Sequence, residues 1–105
     1  RRVEDGFEMS LNELASKYIS SAEHVFEHIE VAETPITLDR TRVCNVMDFA
    51  KAYLKDAEYY REKKKFEVSL TSIAYCEGLL DALRLLGAVR FEWPTRKERA
   101  KRSEQ

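Results

Sequence analysis

A chain of 105 residues, 44% hydrophobic and 35% charged with only three Gly and two Pro, is too short for two comfortable cores and too poor in turn residues for a sheet. The net charge of −1 argues for neither a nucleic-acid-coating protein nor an acidic solvating one, although six Lys or Arg against three Glu after Gly87 make the tail +3 and leave −4 on the rest. No apolar run approaches the roughly 18 residues of a membrane span, and the first residues lack a charged-then-apolar export pattern, so the expectation is a cytoplasmic protein with no membrane partner.

Residues 1–9 are read as a flexible N-terminal segment, with Phe7 available for a contact and Met9 as an alternative start. The first helix begins at Ser10-Leu-Asn-Glu13, a capping box in which hydroxyl and carboxylate each satisfy the other residue's free backbone donor. Leu11, Leu14, Ala15, Tyr18, Ile19, Ala22, Val25, Phe26 and Ile29 then recur at spacings of three and four, so a helix over 10–31 is expected, ended by Thr34-Pro35. His24 and His28 stand one turn apart off the apolar stripe, the spacing of a two-histidine metal face. Glu23 and Glu27 flank them, no third ligand stands out, and the pair is read as solvated.

After a short loop capped by Thr37 or Asp39, a second helix over 40–64 places Val43, Val46, Met47, Phe49, Ala50, Tyr53, Leu54, Ala57 and Tyr60 on one face. Tyr59 points away from that face and is offered to a partner. The segment Arg61-Glu-Lys-Lys-Lys65 contains neither Gly nor Pro, yet the patterns on its two sides are phased separately, which predicts a tight turn near Lys64. The third helix, over 66–86, carries Phe66, Val68, Ile73, Tyr75, Cys76, Leu79, Leu80, Ala82, Leu83 and Leu86 on an arc of about half its circumference. An arc that wide predicts contact with two other helices. With the turn at Lys65, Cys76 falls opposite Leu54, ten residues from Cys44, or about 15 Å, too far for a disulfide.

Three features of this helix bear on function. Gly78 costs about 1 kcal/mol relative to Ala in a helix interior, which points to a close approach by a neighbouring helix, a partner chain or a ligand. Gly87 follows the last periodic residue as a left-handed terminator. Glu77, Asp81 and Arg84 form a polar face that can be a charge network or, less favoured, a metal or acid–base site.

The pattern made by Tyr75, Gly78, Asp81, Ala82, Leu86 and Gly87, preceded by Tyr53-Leu-Lys-Asp-Ala-Glu-Tyr-Tyr60, resembles the short archaeal proteins grouped as domain of unknown function 357. The resemblance covers residues 11–89. It implies an all-α, up-and-down three-helix bundle and an archaeal cytoplasmic origin, and it brings no activity and no catalytic residue. The family tends to place Gly-Asp at the second turn, where this chain has Lys64-Lys65, so Lys64 is expected to adopt the left-handed conformation without glycine's freedom.

Beyond the bundle domain of residues 10–90, residues 91–105 are read as an aromatic and basic tail. Phe91 and Trp93 should fold back on the bundle or on a second copy, and a short helix can begin near Thr95. The favoured function is a non-enzymatic protein–protein interaction or self-association module, using Tyr59, Gly78, Phe91 and Trp93 and forming a homo-oligomer or binding a protein partner. The alternative is a nucleic-acid-binding accessory protein in which Lys63, Lys64, Lys65, Arg96, Lys97, Arg99, Lys101 and Arg102 contact phosphates. No catalytic residue, metal or cofactor is assigned.

Overall fold

A computed structural model describes residues 10–103; the expectations for residues 1–9 lie outside the described residues. The chain divides into two units, Arg1–Thr37 and Leu38–Gln105. The described residues hold four helices and no strand: α1 (Leu11–His28), α2 (Arg40–Glu62), α3 (Phe66–Leu85) and α4 (Arg96–Ser103). The expected count of three is corrected by α4, in the segment read as tail.

In the first unit, α1 starts at the expected capping box, with Ser10 Oγ accepting from the Glu13 amide at 3.0 Å and donating to its carboxylate at 3.1 Å. It ends at Ile29, earlier than expected, where the backbone turns extended. The β-branched Ile29 and Val31 weaken a further turn, and the His28 ring satisfies the His24 carbonyl at 2.8 Å. Taken by itself, this helix has an apolar face on which Leu14 and Tyr18 are half-buried and Val25, Phe26 and Ile29 exposed.

The second unit is built on a hairpin of α2 against α3. Asp39 caps α2 by accepting from the Arg42 amide at 2.9 Å. The buried residues are Ala50, Ala57, Cys76 and Leu83, and half-buried Val43, Val46, Tyr53, Tyr60, Ser69, Ser72 and Leu79 complete the line. Along α2 the spacing is 43, 46, 50, 53, 57, 60, a 3.5-residue repeat that keeps one seam facing the partner helix. Small residues at Ala50, Ala57, Ser69 and Cys76 let the backbones come close, and the Ser69 hydroxyl donates to the Ala57 carbonyl at 2.7 Å.

That bond fixes the register. Pairing Ser69 with Ala57 sets Cys76 level with Ala50, not Leu54, because the turn centres on Lys63. Cys44 is then six residues away, about 9 Å along the axis, and both thiols are free. The expected core is corrected in the same way: Phe49, Phe66, Tyr75, Ala82 and Leu86 are exposed, because the seam is made by small residues and the larger ones are turned to its flanks. Tyr53 and Tyr75 stack across one flank, with ring centroids 4.4 Å apart.

Two helix ends share one geometry. At the turn, the Lys65 amide donates to the Tyr60 carbonyl and the Lys64 amide to that of Arg61; after α3, Ala88 and Gly87 make the same pair of bonds to Leu83 and Arg84. Both are Schellman closures, which require a left-handed residue: Gly87 has φ 75° and Lys64 has φ 61°. A side chain in that conformation costs on the order of 1 kcal/mol. Lys64→Gly is therefore expected to stabilise the protein by roughly 0.5–1 kcal/mol in urea unfolding; a loss of stability would contradict the strained turn.

Candidate functional site

Four of the expected site residues meet on the second unit. From Gly87 the chain turns back, so that the Trp93 indole Nε1–H donates to Asp81 Oδ1 at 2.8 Å. The same oxygen accepts from Arg84 Nη2 at 3.1 Å and Nε at 3.3 Å. Phe91 lies edge-to-face with Trp93, centroids 5.0 Å apart, and the Arg84 guanidinium stands 5.7 Å from the Phe91 ring, within the range of a cation–π contact. The result is a clasp tying residues 91–93 to the last turns of α3.

The electrostatics favour an ionised Asp81. The Trp93 hydrogen bond, then those from Arg84, hold its carboxyl below its ordinary value of 3.8. Its Oδ1 receives three donors from its own chain, which gives the carboxylate a structural part in the clasp. Burial, and after it the charge of the exposed Glu77 beside it, pushes the Cys76 thiol up from 9.0. That leaves Cys76 a packing residue, since the thiolate is the reactive form.

Gly78 is interior to α3 and faces open space: a Cβ built on it would meet nothing within 4 Å. The close approach expected there is therefore not made by the described residues. Gly78 belongs to the face of α3 turned away from α2, where Leu70 is 67% and Leu85 79% exposed and Ala74 is also exposed. Sequence reading missed Leu70 and Leu85 as surface residues; the signal for them is their position opposite the small-residue seam. Tyr59 is exposed as expected, edge-on to Tyr60 and with Lys63 Nζ 5.5 Å from its ring centroid.

The basic residues do not converge. Lys63, Lys64 and Lys65 sit at the hairpin turn, whereas the clasp pins Trp93 at Asp81, sixteen residues along α3 from Lys65, or about 24 Å. On α4, Arg96, Lys97, Arg99, Lys101 and Arg102 are spread around the whole circumference at about 100° per residue rather than aligned as a stripe. That helix starts with a second capping box: Thr95 Oγ accepts from the Glu98 amide at 3.2 Å and Glu98 Oε1 accepts from the Thr95 amide at 3.0 Å. These bonds hold the Glu98 carboxyl below 4.5.

At the open end of the hairpin, Leu38, Val43, Met47, Leu86 and Val89 line a broad depression of about 610 Å³, with Cys44 beside them. Its lining is mixed, with Arg40 among these apolar side chains, and holds no carboxylate or histidine. On α1, His24, Glu27 and His28 each present a ligand atom within 4.8 Å of the others, so Glu27 is the third ligand that the sequence reading did not identify.

The family model described as "Protein of unknown function (DUF357)" matches residues 17–89. The chain belongs to the DUF357 family. The DUF357 match takes in α1 from Lys17, the whole α2–α3 hairpin and the Gly87 closure, and it ends before Phe91. Asp81 and Arg84 thus lie inside the matched region, while the aromatic half of the clasp lies outside it. No curated protein and no solved structure matches the chain. No helix among the described residues is long and apolar enough to cross a membrane.

Trp93 is the sole tryptophan, so its fluorescence reports the clasp. A carboxyl whose folded value is depressed contributes stability that is present above its unfolded value and lost as pH falls through the folded one. On acidification the Trp93 emission is expected to shift red with a midpoint below 3.8, and Asp81→Ala is expected to show the shifted emission at neutral pH. A midpoint above 3.8, or an unchanged emission in the variant, would show that Asp81 does not hold the indole.

Proposed function

We propose that this DUF357 chain is a non-enzymatic helical module that associates with a second copy of itself through the outer face of α3. The observation that carries the reading is the run of Leu70, Ala74, Gly78 and Leu85 on one exposed side of a helix. Gly78 weakens that helix by about 1 kcal/mol relative to Ala, a loss that a close helix–helix contact offsets by letting backbones approach. Monomers rarely leave apolar patches of more than a few hundred Å² in water.

The finer architecture belongs to the same reading. The up-and-down three-helix bundle that the family resemblance implies is part of this proposal. The hairpin alone buries Ala50, Ala57, Cys76 and Leu83, and one fully buried Leu is worth only about 1.5–3 kcal/mol, so 43 helical residues need further cover. A cytoplasmic setting accords with two free thiols, which a reducing compartment maintains, and the archaeal origin rests on the family resemblance. The nucleic-acid alternative ranks below, since its lysines and arginines fall on separate places and on all sides of α4.

Light scattering across a size-exclusion peak tests the association. The full chain is expected to run as a dimer at tens of micromolar. Gly78→Leu, whose side chain enters open space and improves helix propensity, is expected to keep its helical circular dichroism and to weaken dimerisation at least tenfold. A strictly monomeric wild type, or a dimer indifferent to Gly78→Leu, would overturn the assignment.

A further inference from the structure

We infer that His24, Glu27 and His28 form a solvent-facing site for a borderline first-row divalent cation of the Zn²⁺ or Ni²⁺ kind. The three residues occupy positions i, i+3 and i+4 of α1, so their side chains rise from one patch of the helix. Their ligand atoms lie within 4.8 Å of one another, and the imidazole centroids are 4.4 Å apart. Ligand atoms on bonds of about 2.0–2.1 Å stand no more than about 4.2 Å apart, a contraction that small side-chain rotations supply at an exposed site. Two imidazoles and a carboxylate are a donor set suited to zinc or nickel rather than to calcium or magnesium, which favour oxygen alone.

A second observation sets the chemistry of one ligand. His28 Nδ1 lies 2.8 Å from the His24 carbonyl oxygen. A carbonyl can only accept, so Nδ1 carries the proton and Nε2 is left with its lone pair outward. This is the arrangement metal-binding histidines use, where a backbone carbonyl fixes tautomer and ring direction. His24, Glu27 and His28 thus present a tridentate set with one imidazole already oriented, and the remaining coordination positions are open to water or an external ligand.

The surrounding charge acts in the same direction. Between Lys17 and Arg40 the chain holds Glu23, Glu27, Glu30, Glu33 and Asp39 and no Lys or Arg. His28 is the last residue of α1, where the negative end of the helix dipole favours a cation. By helical phase Glu27 lies opposite Val25 and Ile29, His24 to the side and His28 at the edge of the apolar face, and all three are exposed.

Calorimetric titration of the untagged full chain with Zn²⁺ and with Ni²⁺ tests the site, and paramagnetic broadening by Ni²⁺ locates it. One ion per chain is expected, with broadening centred on the His24 and His28 rings. His24→Ala and His28→Ala are each expected to weaken binding tenfold or more, Glu27→Gln less, while Cys44→Ser leaves it unchanged. Circular dichroism checks that the variants keep their helix, and His24→Gln serves as a milder second variant at that position. Absence of binding by either ion, binding unaffected by the histidine substitutions, or broadening centred on Cys44 would overturn the assignment.

Discussion

The hydrogen bond from Ser69 to the Ala57 carbonyl, 2.7 Å across the hairpin, marks the constraint from which most of the structure follows. A hydroxyl can reach the backbone of a neighbouring helix only when nothing larger stands between them, and Ala50, Ala57 and Cys76 keep that space narrow along the seam. Close backbones turn the seam's aromatic rings, Tyr53 and Tyr60, outward from its small residues. Tyr53 and Tyr75 therefore stack at one flank, and Phe49, Phe66 and Leu86 emerge on the surface. The same closeness fixes the register, places Lys64 in the left-handed region at the turn, and separates the two thiols.

A seam of small residues also limits what the hairpin can hold by burial. Four buried residues, two of them alanine, remove little apolar area from water compared with what ordering two long helices costs at roughly 1–2 kcal/mol per residue of backbone entropy. The outer face of α3, with Leu70 and Leu85, and the flank beside Phe49 are apolar and exposed. The clasp sits at the C-terminal end of that outer face, where Phe91 and Trp93 reach the last turns of α3 and use Asp81, three residues beyond Gly78, as their polar anchor. Asp81 and Arg84, which in sequence resemble half of a catalytic pair, serve to hold a chain reversal in place.

Local chemistry was legible in the sequence, and packing much less so. The caps at Ser10, Asp39 and Gly87, the left-handed Lys64 and a helical start beside Thr95 could all be read because each depends on a few adjacent residues. The seam could not be read from hydrophobicity, since an apolar arc does not tell whether helices meet through Ala and Ser or through Phe and Leu. That is why Phe49 and Tyr75 were expected inside while Ser69 was passed over. The Trp93–Asp81 bond joins residues twelve apart across a reversal, and periodicity carries no signal for it. Glu27 was visible as a neighbour of the two histidines, but its reach depends on side-chain geometry, which spacing alone does not fix.

Self-association through α3 requires that its outer face be covered in solution. Hydroxyl-radical footprinting of the full chain at tens of micromolar reads this directly at Leu70 and Leu85. Both side chains are expected to oxidise several-fold more slowly than in the urea-unfolded chain, with the protection lost on dilution or in Gly78→Leu. Oxidation of Leu70 and Leu85 at the unfolded rate in the concentrated wild-type protein would contradict that association.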